Sequence, residues 1–82
     1  MMQDIFEQVE VDVVFGKRGI VPRLFIWKRR LHRVKNVTYV WHERKGEELI
    51  YYFSVTDGST LYELSFHTKS LRWMLDRVYV EG

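Results

Sequence analysis

Leu49-Ile50-Tyr51-Tyr52-Phe53-Ser54-Val55-Thr56-Asp57-Gly58-Ser59-Thr60-Leu61-Tyr62-Glu63-Leu64-Ser65-Phe66 is the stretch that decides the fold. Asp57-Gly58 accepts the positive φ angles of a tight two-residue turn, and the residues on either side alternate in polarity. A two-residue loop places Val55 opposite Thr60, Phe53 opposite Tyr62, Tyr51 opposite Leu64 and Leu49 opposite Phe66. One face of the hairpin is then apolar, while the other pairs Tyr52 with Glu63 and Ile50 with Ser65. A slip of one residue would mix the faces, so pattern and turn chemistry agree on one antiparallel hairpin.

The period of two continues outward in both directions. In 5–15, Val9, Val11, Val13 and Phe15 are apolar while Gln8, Glu10 and Asp12 are polar, the mark of a half-buried strand. Gly16-Lys17-Arg18-Gly19 reads as a turn. Pro22 has no N–H and belongs at the start or edge of the next strand, 23–28. That strand carries Leu24 and Ile26 on one side and Phe25 and Trp27 on the other, so both its faces are apolar. Lys28-Arg29-Arg30 is the predicted turn after it, although it lacks Gly or Asn. Residues 31–42 change phase between Val34 and Val37, which predicts a β-bulge and a bend at Lys35-Asn36. Residues 44–48 form a polar loop and 67–70 a turn; 71–80 reads as a strand, with a helical turn as the alternative.

Six short strands with close turns predict one all-β domain over 1–82, an antiparallel meander forming a small barrel or strongly bent sheet. Trp41, Phe53, Tyr62, Phe66 and Trp73 sit on apolar phases and are the expected aromatic core. There is no Cys, which removes disulfides and thiolate metal sites and fits a reducing compartment. Met1-Met2-Gln3-Asp4 is not a basic leader followed by an apolar segment, and no apolar run approaches the roughly 20 residues of a membrane helix. The expected compartment is the cytoplasm, without membrane contact.

No residue constellation supports catalysis. Ser54, Ser59, Ser65 and Ser70 lie in strand or turn contexts, and the Gly16–Gly19 segment is too short for a phosphate loop. His32 and His42 stand ten residues apart on one predicted strand, about 33 Å if extended, too far to share an ion. His67 falls opposite Glu48 as a surface pair. The expectation is a non-enzyme, with no catalytic residue, metal ligand or cofactor.

Charge is the remaining signal. The formal sum is −4 over residues 1–12, +8 over 13–42 and −2 over 43–82, for a net +2. Lys17, Arg18, Arg23, Lys28, Arg29, Arg30, Arg33 and Lys35 follow one another with no carboxylate between them, interleaved with Phe15, Phe25, Trp27, Tyr39 and Trp41. Cations beside flat rings suit a polyanion with stackable faces. The expected nucleic-acid contacts are Arg23, Lys28, Arg29, Arg30, Arg33 and Lys35, with Trp27 as the stacking ring. Two other readings stay open. The run is a solvated face neutralised by Glu7, Glu10 and Asp12 of the first strand, or the domain is a protein-interaction or homodimerisation module using the Phe25/Trp27 face or an open strand edge.

A wider pattern runs from about Val13 to Arg77: Phe15-Gly16, Pro22, Phe25-x-Trp27, the basic turn, Val34-x-x-Val37, Trp41, Tyr51-Tyr52-x-x-Val55, Gly58, Tyr62-x-Leu64 and Trp73-x-Leu75. It resembles a small uncharacterised bacterial β domain that also occurs as the C-terminal appendage of Y-family, DNA-repair-polymerase-like proteins. The matching residues are mainly core aromatics and turns, with no catalytic motif. The resemblance implies a non-enzymatic accessory module near DNA; taken with the basic run, the expected partners are DNA or RNA, or a DNA-repair protein.

Overall fold

The computed structural model describes every residue except Arg18, Glu81 and Gly82. Arg18, a member of the basic run, therefore lies outside the described residues. Seven strands follow one another: β1 (Met2–Gly16), β2 (Gly19–Trp27), β3 (Arg30–Arg33), β4 (Asn36–Lys45), β5 (Glu48–Thr56), β6 (Leu61–His67) and β7 (Arg72–Tyr79). They form one sheet of order β3-β2-β1-β7-β6-β5-β4 in which every neighbouring pair is antiparallel. β1 lies inside the sheet and pairs with both β2 and β7, so the meander returns to its own first strand.

β3 and β4 are the two edges of the sheet, yet only Val34 and Lys35 separate them in the chain. The Val34 amide donates to the Arg23 carbonyl of β2 (2.9 Å), and the Lys35 amide donates to the Thr56 carbonyl of β5 (2.8 Å). The sheet is bent so strongly that its edges meet at this connector. No ladder joins β3 to β4 among the described residues, so the barrel stays open. The phase change expected from one bulge at Lys35-Asn36 is absorbed instead in two steps. The strand breaks at Val34-Lys35, and the β4–β5 register shifts between Val37 and Tyr39, where the Thr38 hydroxyl donates to the Ser54 carbonyl at 3.1 Å.

The β5–β6 hairpin is present with a longer loop than its Asp57-Gly58 dipeptide suggests. Thr56 pairs with Leu61, Val55 with Tyr62, Phe53 with Leu64 and Tyr51 with Phe66, two residues on from the two-residue-loop register. The cause is the Asp57 side chain. Its Oδ1 accepts from the Ser59 amide (2.9 Å) and the Thr60 amide (2.8 Å), while the Asp57 amide donates to the Thr60 carbonyl (3.2 Å). This Asx-type closure makes a loop of 57–60 more favourable than a two-residue turn. A shift of two preserves the side-chain faces, so the apolar face is unchanged.

Residues 72–79 are strand rather than helical turn. Three further register shifts mould the sheet: in β1 between Asp4 and Glu7, in β2 opposite Asp12 and Val13, and in β7 opposite Glu63 and Leu64. Each leaves an extra residue without a direct cross-strand partner, and bulges of this kind bend and twist a sheet.

The core lies inside the bend. Val9, Phe25, Phe53, Val55, Tyr62, Leu64, Leu75 and Val78 are buried together, with Trp27, Phe66 and Trp73 packed against them. Phe25 is 0% exposed, stacks on His32 (centroids 5.0 Å, 12°) and meets Tyr62 edge-on at 5.0 Å. Two expectations are corrected here. Trp41 is not a core ring; its register places it on the opposite face, stacked on Tyr52 at 5.1 Å. The Phe25/Trp27 face of β2 is the inner face, so it is not available to a partner.

Candidate functional site

Lys17, Arg23, Lys28, Arg29, Arg30, Arg33 and Lys35 are all exposed. The ion pairs among the described residues are His67–Glu48, Lys69–Glu47 and Arg77–Asp4, and none engages a cation of the basic run. Glu10 pairs with Ile26 and Asp12 with Leu24 in the β1–β2 ladder, and Leu24 pairs with Arg33 on its other side. Asp12 and Arg33 therefore stand two strand spacings apart, about 10 Å, with Leu24 between them. At that separation the first strand's acids weaken the local field without closing salt bridges.

Local backbone divides six of these cations into three positions, with Lys17 apart from them between β1 and β2. Lys28 and Arg29 form the β2–β3 hairpin tip, both left-handed at φ 52° and 62°, next to the Trp27–Arg30 pair. A tight hairpin of this twist requires positive φ at both central residues, which Asn-Gly supplies readily and Lys-Arg does not. The two positions together store about 2 kcal/mol of strain. Arg23 is the extra residue of the β2 bulge, and with Lys35 it flanks a groove of about 350 Å³ floored by Pro22, Val34 and Val37, where the sheet edges meet. Arg33 lies apart from both, on the outer face beside Leu24.

Trp27 is not a free stacking ring. It packs half-buried against the core, and the Lys28 ammonium sits 4.8 Å from its ring centroid. The position is held by a chain of contacts that ties the two hairpins together. Tyr62 Oη donates to Asp57 Oδ2 (3.4 Å) and meets His32 Nδ1 at 3.4 Å, and the His32 ring lies 6.0 Å from that of Trp27. Burial alone would raise the Asp57 carboxyl, but bonds from the Thr60 and Ser59 amides, the Ser59 hydroxyl and Tyr62 outweigh it and hold it below its ordinary value. Burial, and then the Asp57 charge, push the Tyr62 phenol up.

A second surface was not foreseen. Across β4–β7, on the face away from the core, an open groove of about 490 Å³ is lined by Trp41, Tyr52, Ser65, His67, Met74 and Asp76, with the exposed Phe6 at its rim. Its floor is unusually polar: Ser65 is 0% and Asp76 7% exposed. Ser65 Oγ lies 3.0 Å from His67 Nε2, and His67 Nδ1 lies 3.7 Å from Glu48 Oε1. Burial raises the Asp76 carboxyl, opposed by a bond from Ser65 and by the charges of His67, Arg77 and Lys45. Burial also raises Glu63, opposed by Arg77 and reinforced by Asp76, Asp4 and Glu43. The Glu48–His67–Ser65 order has the sequence of an acid, a base and a hydroxyl. Ser65 is fully buried on the groove floor, and its hydroxyl is engaged with His67 Nε2.

Alternation along β6 could have placed Ser65 and His67 on one face with Tyr52. Asp76 carries no such signal, because it joins them only through the β7 register shift. His32, His42 and His67 go to separate places, and among the described residues no group of three or more His, Asp or Glu side chains is arranged to hold a metal ion. Nor, among those residues, is there a helix long and apolar enough to cross a membrane. No protein-family model, curated protein or solved structure matches the chain.

Proposed function

We propose that this chain is a non-catalytic accessory domain of the bacterial cytoplasm that holds nucleic acid by its phosphates, beside a DNA-repair enzyme. The observation that carries the reading is the absence of any carboxylate partner, among the described residues, for seven exposed cations in one stretch of chain. Lys28, Arg29 and Arg30 at the hairpin tip reach outward to a backbone, while Arg23 and Lys35 offer two charges on either side of a shallow groove. The strain at the tip supports the same reading, since a left-handed Lys-Arg pair is retained where Asn-Gly would be more stable. With Trp27 engaged in packing, recognition rests on charge and shape rather than on base stacking.

The test is a titration of a duplex DNA oligonucleotide against rising salt. Log affinity should fall linearly with log salt, with a slope of about −0.9 per phosphate neutralised. The double variant Lys28→Asn/Arg29→Gly should bind more weakly and with a slope shallower by about 1–2. A flat slope for the unaltered chain overturns the proposal.

A further inference from the structure

We infer that the outer face of β1, β2 and β3 is the contact surface of a two-fold symmetric homodimer. The starting point is that β2 is apolar on both sides. Its Phe25 and Trp27 are used by the core, which turns Val21, Leu24 and Ile26 outward. Val14 of β1 pairs with Val21, and Leu31 of β3 pairs with Ile26, so the five side chains form one strip crossing three strands. Val14 is 46%, Ile26 40% and Leu31 53% exposed. The solvated face of an antiparallel sheet normally carries polar residues at such positions. No described segment of the chain covers this strip.

Charge selects the occupant. Along the outer face Asp12, Leu24 and Arg33 stand in one row, and Glu10, Ile26 and Leu31 in the next. Acids therefore border the strip on β1 and a guanidinium borders it on β3. A two-fold axis running along β2, in the plane between two such faces, lays β1 of each copy over β3 of the other. Asp12 then meets Arg33 of the partner subunit, twice by symmetry, while Leu24 and Ile26 meet their own counterparts at the centre. Sheets packed face to face in this way are aligned to within about 30°. The face is self-complementary at Asp12, Leu24 and Ile26, as an isologous contact requires, while Glu10 falls opposite Leu31 of the partner subunit at the margin; a polyanion would be repelled by Glu10 and Asp12. Three strands at about 4.8 Å spacing make a small patch, at the low end of specific interfaces, so the dimer is a weak and concentration-dependent one. Arg33 belongs to this contact rather than to the cationic hairpin tip.

Sedimentation equilibrium over a wide concentration range should show reversible monomer–dimer exchange. Ile26→Glu should weaken association at least about tenfold. Arg33→Asp and Asp12→Arg should each weaken it, whereas the two together in one chain should restore it, because each lost pair is remade with its signs reversed. Circular dichroism of every variant separates lost association from lost folding. If a variant fails to fold, concentration-dependent amide shifts of the unaltered chain replace it, and these should cluster at Val14, Leu24, Ile26 and Leu31. A monomer at all concentrations overturns the inference and leaves the strip to a different protein. A dimer indifferent to Ile26→Glu, a double reversal that fails to restore association, or shifts clustered elsewhere overturns it too. Lys28→Asn/Arg29→Gly should leave association unchanged, so this inference and the nucleic-acid reading fail separately.

Discussion

Two hairpin turns lie close together and are built on opposite principles. At 57–60, Asp57 closes the loop with bonds from Ser59 and Thr60, and Gly58 takes its φ of 106° without a Cβ penalty. At Lys28-Arg29, two long cationic side chains occupy left-handed positions that suit neither. The first turn uses residues that favour its geometry; the second displays charge at the expense of geometry. The Asp57–Tyr62–His32 contacts connect them, so the well-made turn helps hold the strained one in place. The difference teaches where this molecule puts stability and where it puts exposed charge.

The largest expected effect comes from breaking the joint between the turns. Phe25→Ala removes the ring packed against both His32 and Tyr62 and should cost about 3–5 kcal/mol, a large share of a small domain's stability, in denaturant unfolding. Giving the strained turn the chemistry of the other, through Lys28→Asn/Arg29→Gly, should raise stability by about 1–2 kcal/mol in the same assay. Stability and DNA affinity then move in opposite directions, which is the signature of strain kept for display. Asp57→Ala should cost about 1 kcal/mol at neutral pH. Because the folded Asp57 carboxyl is held low, its contribution is present above the unfolded value and disappears as pH falls through the folded one. The cost of Asp57→Ala should therefore shrink in acid.

Asp76 gives the smallest effect and the opposite sign. Its folded carboxyl is raised by burial, so its contribution is complete below the unfolded value and is lost as pH rises through the folded one. Asp76→Asn should match the unaltered chain in acid and exceed it at neutral pH by under about 1 kcal/mol, measured as the pH dependence of unfolding. Two aspartates in one small sheet thus titrate stability in opposite directions. Asp57 is bound by amide donors, whereas Asp76 sits in a floor where burial outweighs the help of one hydroxyl and three partial neighbours.

Much of the fold was legible because its signals are local. The alternation in 5–15 and 49–66, the phase change near Val34 and the glycine turns all describe neighbours in the chain. The strand over 71–80 could be preferred on residue type alone. The loop at 57–60 was only half legible: Asp-Gly marked the turn, but the reach of the Asp57 carboxylate to Thr60 set its length. The candidate sites were legible as charge and not as geometry. The run of cations is plain in the sequence, whereas the packing of Trp27, the bulge that isolates Arg23 and the placement of Arg33 beside Leu24 depend on cross-strand partners.

By itself the sequence determined that side chains would fall on two faces, where the chain would turn, and that its middle third would be cationic, because the period of a pleated strand and the conformational freedom of glycine are properties of neighbouring residues. Only the tertiary structure decided which apolar side of β2 became the core, which acids stood within reach of which bases, and that Asp76 would join Ser65 and His67. Those outcomes depend on which strands pair and on register shifts at Arg23 and Asp76, which bring together residues that no local pattern relates.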